Sequence, residues 1–413
     1  MRHVLMVAFH YPPIAASAGA LRTRAFVRYL AEHGWHAHVL VPKQSAYPET
    51  ETVTDEDIGD IRRCWAFDAR RHLGWQGRYP ALAAVPDRWI SWAPSAIATG
   101  RRLLREFPIE AIWSTYPIAT SHLIADVLAA TSKRPWVAEF RDPVCANGGR
   151  IQRMAQQAIE ARAMRAATRN VFVTPGARRH ALKRFPEAAS RSYVLANGYD
   201  EALEVDRGAP PPLKGRPVVL LHSGHLYPVG RNPRSLLEAI ARLKSAGRID
   251  RRRLRVVFRN TQQDDQVRPE IEQLGVGDIV QLAARVPHAE ALAEQRQADG
   301  LLLLQGRAFN AQVPAKVFEY LRAGRPTLAL VSPGGDTAGL LTELGAGIQA
   351  DPDDVDAVER ALLDFVSGLE RQSGGEPIWQ PDAERLSQYS RRRQTAELAA
   401  LFDAVAGVKT VDS

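Results

Sequence analysis

Two basic residues and one acidic residue in the C-terminal half have types and spacing that suit the binding of phosphate and hydroxyl groups. Lys316 and Glu319 stand three residues apart in the stretch PAKVFEYLRAGRPTLAL, and Arg231 belongs to the stretch LLHSGHLYPVGRNP. Arginine and lysine form charge-assisted hydrogen bonds to phosphate oxygens, and a carboxylate accepts hydrogen bonds from sugar hydroxyls. On its own, a Lys–Glu pair at this spacing is an ordinary surface ion pair worth roughly 0.2–0.5 kcal/mol, so the chemistry depends on the elements that position these residues.

Short apolar runs alternate with amphipathic segments along the whole chain, which is the pattern of parallel sheets covered by helices on both faces. In the first half we predict strands at 4–9, 37–41, 109–114, 136–140, 171–174 and 193–196. In the second half we predict strands at 218–222, 254–258, 279–282, 300–304 and 327–331. The stretch 200–217, DEALEVDRGAPPPLKGRP, interrupts the alternation with charges, glycine and three consecutive prolines, and is predicted to be a linker.

These features predict an α/β protein made of two Rossmann-like, doubly wound domains that face a cleft. The first domain is assigned to 1–204 and the second to 205–382, since 413 residues are enough for two domains of about 200 residues each. The last predicted helix, within about 383–413, is expected to return to the first domain.

Open parallel sheets bind ligands at the carboxyl ends of their strands, where the N-termini of helices carry unbonded N–H groups and a partial positive charge. Ser223 and Gly224 follow the first predicted strand of the second half and allow close backbone approach. Arg231 and Lys316 would reach one place from two neighbouring strand ends, which suits a diphosphate. Glu319, one turn further along its helix, would then suit a ribose.

At this point the chain resembles a known family. The stretches HSGHLYPVGRNPRSLLEAIARL and VPAKVFEYLRAGRPTLALVSPGGDTAGLL resemble the donor-binding half of family 4-like glycosyltransferases of the two-Rossmann (GT-B) type, in particular the group 1, WbuB-like members. The opening VLMVAFHYPPIAASAGALRTRAFVRYLAEHGWHAHVLVP resembles the first strand, glycine-containing loop and first helix of the same family. The similarity extends over essentially the whole chain, and the C-terminal motif is the more diagnostic one.

The resemblance implies a glycosyltransferase that moves a sugar from a nucleoside diphosphate sugar to a saccharide or lipid-linked acceptor, in surface polysaccharide or glycoconjugate biosynthesis. Arg231 and Lys316 match the pair that holds the diphosphate and stabilises the leaving group. Glu319 matches the second glutamate of the family's Glu-x7-Glu signature, which contacts the ribose. The first glutamate of that signature is replaced here by Ala311, so this contact to the sugar is either missing or made by backbone N–H groups around 310–313. Other donor contacts are implied at Ser223, Gly224, Arg285, Val286 and Val313.

In the N-terminal half the resemblance places Gly19 and Arg22 in the loop that faces the donor. Many family members carry a histidine after the strand that ends here in AEFRDP, where this chain has Arg141 and Asp142. Asp142 is therefore a candidate to orient the acceptor or to act as a weak base. His122 is a second candidate because it follows a strand end and begins a helix, although a lone histidine is more often a structural hydrogen-bonding group.

The expected reaction needs little acid–base machinery. A sugar nucleotide already has a good leaving group, so the enzyme must mainly stabilise the charge that builds on the departing diphosphate and hold the acceptor hydroxyl in place. The family generally retains the anomeric configuration and works without a bound metal, so no cofactor and no metal are expected. Asp264 and Asp265 are adjacent acidic residues at the start of a helix, which the helix dipole explains without a metal.

The net charge of +8 is concentrated in the N-terminal half. Residues 1–200 hold 27 Lys and Arg against 17 Asp and Glu, a net of +10, whereas residues 201–413 carry a net of −2. The arginines between Arg150 and Arg184 lie among alanines and a few larger apolar residues. This composition is typical both of a solvated helix face and of a helix that lies on anionic lipid headgroups. The membrane alternative predicts peripheral contact with the inner face of the cell membrane.

A cytoplasmic location is expected. No stretch reaches the roughly 18–20 apolar residues of a spanning helix, and the N-terminus MRHVLMVAFHYPP has an apolar part too short for a signal sequence. Cys64 and Cys145 are too few for a disulfide framework or a cysteine zinc site.

Two other function classes stay open at the level of the sequence. A nucleotide-sugar 2-epimerase-like enzyme would use the same scaffold, since a fold does not fix its reaction. A nucleic-acid-binding protein is suggested by the pI of about 9.6, but no recognisable nucleic-acid module accompanies the charge, so no nucleic-acid partner is expected. A nicotinamide oxidoreductase is disfavoured because neither half has a G-x-G-x-x-G turn after its first strand.

Overall fold

A computed structural model of the chain shows two compact units. The first comprises Met1–Asp200 together with Ser390–Ser413, and the second comprises Glu201–Tyr389. The residues that the structure describes are 1–14, 17–50, 59–76, 78–144, 149–200, 213, 215–372 and 382–407. Most of the predicted linker lies outside the described residues, so its character stays a prediction.

The described part of the first unit contains a seven-stranded parallel sheet. Its strands are β1 (Arg2–Val7), β2 (Trp35–Pro42), β3 (Asp60–Cys64), β4 (Ile109–Tyr116), β5 (Trp136–Phe140), β6 (Arg169–Phe172) and β7 (Ser192–Val194). They lie in the order β3-β2-β1-β4-β5-β6-β7, and each neighbouring pair is parallel. The order reverses between β1 and β4, so the carboxyl ends of these two strands border the crevice where such sheets bind ligands.

Helices cover both faces of this sheet. They are α1 (Ala18–Leu30), α2 (Ala69–His72), α3 (Trp92–Glu106), α4 (Ala119–Ser132), α5 (Arg150–Ala166) and α6 (Pro175–Arg184). Buried side chains of α3 and α4 form one apolar core with the sheet, and Phe26 of α1 lies in a second core on the opposite face. Because the central strands are buried on both faces by these two cores, their sequences are nearly continuous apolar runs.

The described part of the second unit contains a six-stranded parallel sheet. Its strands are β8 (Val218–Ser223), β9 (Leu254–Arg259), β10 (Val280–Ala283), β11 (Gly300–Gln305), β12 (Thr327–Val331) and β13 (Ile348–Ala350). They lie in the order β10-β9-β8-β11-β12-β13. The helices of this unit are α7 (Arg234–Ser245), α8 (Asp264–Gln273), α9 (His288–Gln297), α10 (Ala315–Ala323), α11 (Asp336–Glu343), α12 (Val355–Gln372) and α13 (Ala383–Ser387).

The last helix, α14 (Arg391–Ala406), packs on the first unit, as the sequence predicts. The indole Nε1 of Trp35 donates a hydrogen bond of 3.0 Å to Asp403, and the Trp35 ring contacts Phe402 with 5.4 Å between centroids. Leu398 and Val405 are buried in the same core as α1. The helix therefore completes the apolar cover of one face of the first sheet.

Two strands were not predicted from the sequence. β3 reads DIRRC, and all but its last residue are half-buried, because it forms one edge of the first sheet. β13 has only three residues, IQA, and forms an edge of the second sheet. Edge strands bury less of each side chain than central strands, so they lack the continuous apolar run on which the other strands were predicted.

Gly347, just before β13, is expected to be essential for docking this edge strand. Its φ is +84°, and a Cβ at this position would lie 1.9 Å from the Thr327 carbonyl oxygen. Gly345 has a similar φ of +62° but nothing within 4 Å of its Cβ position. We expect Gly347→Ala to lower the free energy of unfolding by about 2–3 kcal/mol and Gly345→Ala by about 1 kcal/mol. Urea unfolding of the two variants measures the difference, and equal losses would show that the backbone contact costs nothing.

Candidate functional site

The second unit places its candidate residues at the point where its strand order reverses. β8 and β11 are neighbours in the sheet, although they are the first and fourth strands of the unit. The connections that leave β8 and β11 therefore run in opposite directions and open a crevice at their carboxyl ends. The loop 224–233 follows β8, and the loop 306–314 follows β11 and leads into α10.

Backbone hydrogen bonds and glycines hold these two loops together. The Gly306 N–H donates a 2.7 Å hydrogen bond to the Gly230 carbonyl. Gly230 has a φ of +80°, and a Cβ there would lie 2.6 Å from the Phe309 ring. The close approach therefore requires glycine in the first loop and an aromatic side chain in the second.

Gln305, the last residue of β11, fixes the second loop from inside. Its side chain is 3% exposed, and Nε2 donates hydrogen bonds to the carbonyls of Phe309 (3.1 Å) and Gln312 (2.7 Å). The loop delivers the chain to Val313 and Pro314, where α10 begins without a side-chain cap. A helix N-terminus of this kind leaves N–H groups available to an anion.

Lys316, in the first turn of α10, points back to the end of β8. Its Nζ lies 3.4 Å from Nε2 of His222. A Cβ at Gly224, which has a φ of +120°, would lie 2.9 Å from the same Nζ. The lysine amine thus occupies the space that the missing side chain of Gly224 leaves open at the crevice.

Arg231 brings a second positive charge to the same place. Withdrawal from water and, after it, the charge of Arg231 lower the pKa of Lys316 to about 7, against the opposing effect of Glu319. The Arg231 guanidinium lies over the rings of Tyr227 and Phe309, 5.1 Å from each centroid. Two cations from two different loops therefore act on each other in one crevice, an arrangement that a bound dianion would stabilise.

A contact between α10 and the end of β8 fixes the position of Glu319 relative to Ser223. The next residue after Glu319, Tyr320, is buried, and its hydroxyl accepts a 2.9 Å hydrogen bond from the Ser223 N–H. Burial is the main cause of the raised pKa of Tyr320. This bond anchors the first turns of α10 to the end of β8 and so fixes the positions of Lys316 and Glu319 relative to the strand.

Arg285 and Val286 lie in the segment between β10 and α9. Arg285 is exposed and Val286 is half-buried. The pKa of His225 is lowered first by loss of water and then by the charges of Lys316, Arg285 and Arg231. Arg285 therefore lies close enough to His225 for its charge to act on that ring, as the charges of Lys316 and Arg231 do.

In the first unit the structure brings Arg141, and not Asp142, against Gly19. A Cβ at Gly19 would lie 1.7 Å from Nη1 of Arg141, so only glycine lets the guanidinium rest on the first turn of α1. Arg141 Nε donates to the Thr115 hydroxyl and the Tyr116 carbonyl, both at 2.9 Å. Asp142 itself is exposed.

His10 completes this group at the carboxyl end of the first sheet. Arg141 Nη2 donates a 3.1 Å hydrogen bond to its Nδ1. Burial, with a smaller contribution from Arg141, lowers the pKa of His10 to about 3, so the ring is neutral at physiological pH. His10 was not predicted from the sequence, because its role depends on a contact with Arg141, which lies far away along the chain.

Neither Gly19 nor Arg22 is a loop residue, which corrects the expectation for both, because both are buried residues of α1. Arg22 is 2% exposed, and its guanidinium bonds Glu139 (2.9 and 3.1 Å) and the carbonyls of Leu195 and Ala196. Gln394 of α14 accepts a further bond of 3.3 Å. Residues 19 and 22 lie one turn apart on the same face of α1, and this face points into the protein.

His122 is likewise an interior residue. It is 0% exposed and lies 2.8 Å from the Ser114 hydroxyl, whose oxygen also accepts from Trp136 Nε1. Burial lowers the pKa of His122 to about 3. The structure does not bring this imidazole to the loops at the carboxyl ends of the strands, so it lies where a structural histidine would.

The described residues contain neither a cluster of metal-ligand side chains nor a helix that could span a membrane. No group of three or more His, Cys, Asp and Glu side chains there is arranged to hold a metal ion. Among the helices of the same described segments, none combines the length and the apolar character needed to cross a membrane. Asp264 and Asp265 occupy the first turn of α8, where the carboxylate of Asp264 accepts a hydrogen bond from the Thr261 hydroxyl.

Three residues of the crevice were not predicted from the sequence: His222, Gln305 and Tyr320. All three are buried, His222 and Gln305 near the ends of apolar strands and Tyr320 on the packed face of the amphipathic helix α10. The available signal was a polar residue at the carboxyl end of an apolar strand, as in VVLLHS and GLLLLQ. That signal marks where a strand meets its loop, but it does not tell which partner the side chain finds.

Comparison with known proteins supports the interpretation of the fold. Residues 17–198 match the family described as Glycosyl transferase 4-like domain. The comparison with curated protein sequences gives no match. Sucrose-phosphate synthase from Thermosynechococcus elongatus has a TM-score of 0.67 at 13% identity, over 98% of this chain and 99% of that chain.

Two further structures are similar over nearly their whole length. HepE from Anabaena in complex with UDP and glucose has a TM-score of 0.61 at 12% identity, over 98% of this chain and 100% of that chain. The lipopolysaccharide outer core galactosyltransferase WaaB in its apo form has a TM-score of 0.60 at 11% identity, over 97% of this chain and 99% of that chain. At these identities the likeness shows the fold. Residues 17–198 therefore match a glycosyl transferase 4-like domain, and the chain has the GT-B fold.

Proposed function

We propose that the protein transfers a sugar from a nucleoside diphosphate sugar to a saccharide or lipid-linked acceptor, with retention of the anomeric configuration and without a metal. The observation that carries this proposal is the mutual effect of Lys316 and Arg231, which reach the crevice between β8 and β11 from different loops. The complex of HepE with UDP and glucose supports uridine nucleotides as the first donors to test.

In this proposal the two cations stabilise the diphosphate as it leaves the sugar. Charge develops on the bridging oxygen when the bond to the anomeric carbon breaks, and fixed cations in a site with little water stabilise that charge without reorganising. The N-terminus of α10 adds N–H groups, and Glu319 accepts the ribose hydroxyls. Backbone N–H groups around 310–313 take the place of the glutamate that Ala311 replaces.

Transfer and its stereochemistry are tested with purified protein, UDP-, ADP- and GDP-sugars and a panel of saccharide and lipid-linked acceptors. We expect one nucleotide family to give a glycosylated product, and proton NMR of that product to show the anomeric configuration of the donor. Addition of EDTA is expected to leave the rate unchanged. Without acceptor, slow release of free sugar supports transfer, whereas accumulation of an epimeric nucleotide sugar would favour the 2-epimerase.

For a lipid-linked acceptor, the proposal includes a surface of the first unit that contacts the membrane. Large apolar side chains are exposed there, among them Trp75 (78%), Leu82 (75%), Ile151 (58%) and Met154 (59%). Gln152 Nε2 donates a 2.8 Å hydrogen bond to the Ala84 carbonyl, which joins the start of α5 to the turn that carries Leu82. Exposed apolar side chains at this density mark an interaction surface.

The charges around these side chains favour anionic lipid as the partner. The exposed arginines of the two segments are Arg70, Arg71, Arg78, Arg150 and Arg153. Further along the chain, three arginines form ion pairs with carboxylates of the first unit, which offset part of the positive charge there: Arg162 with Asp126, Arg165 with Glu187 and Arg184 with Glu160. We therefore place the membrane contact at the segments 70–82 and 150–154.

Charge reversal at Arg150 and Arg153 is expected to release the protein from anionic vesicles. Each basic residue near such a surface contributes about 1 kcal/mol, so reversing two of them should weaken partitioning roughly 100-fold or more. Sedimentation with phosphatidylglycerol-containing vesicles measures the effect, and pure phosphatidylcholine vesicles give the uncharged reference. Arg251→Glu with Arg252→Glu, an exposed pair on the second unit, is the matched control. If both double variants behave like wild type, the arginines are ordinary surface residues.

A further inference from the structure

His222 is a buried histidine that the proposed mechanism does not use, and its tautomer can be assigned. Its ring is 0% exposed, and Nδ1 lies 2.9 Å from the Leu302 carbonyl oxygen. A carbonyl only accepts hydrogen bonds, so Nδ1 must carry the proton. In the neutral ring Nε2 then keeps its lone pair, and this is the atom that lies 3.4 Å from Nζ of Lys316.

The imidazole is also held in its neutral form. Burial, and after it the charge of Lys316, lowers the pKa of His222 well below its ordinary value. A neutral imidazole with its proton fixed on Nδ1 accepts a hydrogen bond at Nε2 in one fixed direction. Such an acceptor can hold the end of a lysine side chain that is otherwise flexible. We propose that His222 is a positioning residue, whose Nε2 holds the Lys316 ammonium beside Gly224 so that it meets the diphosphate of the donor.

This inference rests on the proposed function of the crevice. The groups that act on Lys316 come from three places: His222 from β8, His225 and Arg231 from the following loop, and Glu319 from its own helix. Among these, His222 is in hydrogen-bond contact with the amine in the described structure. Its removal should therefore change the behaviour of Lys316 without removing a charge from the site.

The pH dependence of donor binding follows from the free-state pKa of Lys316, which is about 7. A bound diphosphate raises that pKa, so binding takes up a proton and weakens as the pH rises above about 7, by at most about tenfold per pH unit. Loss of the Nε2 acceptor destabilises the charged amine. His222→Phe should therefore begin to lose affinity for the donor at a lower pH than wild type does.

Isothermal titration calorimetry with UDP and UMP, from pH 6 to pH 9, tests the proposal on wild type, His222→Phe and His222→Gln. A hydrogen bond to a charged group contributes about 1.5–3 kcal/mol. We therefore expect His222→Phe to weaken UDP binding at least tenfold, to change UMP binding less, and to shift the pH profile downwards. His222→Gln keeps an acceptor oxygen and should stay within about threefold of wild type.

A second comparison separates positioning from general structural damage. In a Lys316→Met background, His222→Phe should have no further effect on UDP binding, because the group it positions is gone. Equal weakening of UDP and UMP, or an undiminished effect in the Lys316→Met background, would overturn the role of His222. Unchanged UDP binding by His222→Phe would overturn it as well, whereas wild type that binds no nucleoside diphosphate would overturn the proposed function itself.

Discussion

Lys316→Met is expected to lower kcat/KM for sugar transfer roughly 100- to 1000-fold while the protein stays folded. The lysine amine stands at the crevice between β8 and β11, where the leaving diphosphate would develop charge, and a fixed donor at such a position contributes about that factor to the rate. Methionine has a similar length and no charge. Because burial disfavours the charged lysine, the substitution removes an unfavourable group from the free protein and should not reduce its stability.

Lys244→Met is the matched control. Lys244 lies in the same unit, in the last turn of α7. Its amine donates hydrogen bonds of 2.6 Å to Asp278 and to the Gly275 carbonyl. Its replacement should leave kcat/KM within about twofold of wild type. Equal rates for the Lys316 and Lys244 variants would mean that the donor diphosphate binds elsewhere.

Arg22→Met is expected to destabilise the first unit by about 3–5 kcal/mol. The guanidinium is 2% exposed and its partner Glu139 is 0% exposed, so the substitution leaves a carboxylate buried without its countercharge. It also removes the donors to the Leu195 and Ala196 carbonyls that tie α1 to the chain after β7. Seven of the eight tryptophans lie within residues 1–200, so tryptophan fluorescence during urea unfolding reports mainly on this unit.

The surface pair Arg392–Glu32 provides the comparison for this effect. It also joins α14 to the region of α1, with 3.0 Å between the charged atoms, but its side chains are 59% and 42% exposed. Arg392→Met should change the unfolding free energy of the first unit by less than about 1 kcal/mol. A loss for Arg22→Met as small as that for Arg392→Met would contradict a buried structural role for Arg22.

The sequence predicted the two-sheet fold well, because central parallel strands are apolar on both faces. Strands 136–140 and 327–331 were predicted with the bounds that the structure shows, and both lie inside their sheets. The edge strands β3 and β13 were missed since they have fewer buried positions. The alternation of strands with helices, rather than any single motif, carried the prediction.

Site residues that belong to a sequence motif could be predicted, whereas residues whose role depends on a contact between distant parts of the chain could not. Lys316 and Arg231 could be predicted because their loops follow strands that a doubly wound sheet places side by side. The sequence placed Gly19 and Arg22 in a loop, although both belong to α1 and Arg22 bonds Glu139 in the interior. His222 and Arg141 acquire their roles from contacts across the sheet, which periodicity along the chain does not encode.

The central claim is that Lys316 and Arg231 together bind the two phosphates of the donor. The most direct measurement is the ratio of the affinity for a nucleoside diphosphate to that for its monophosphate, on wild type, Lys316→Met and Arg231→Met, for the base that binds best. Charge-assisted hydrogen bonds to the second phosphate should give wild type a preference of at least about tenfold for the diphosphate, and each variant should lose most of it. A wild type without this preference, or variants that keep it in full, would contradict the claim.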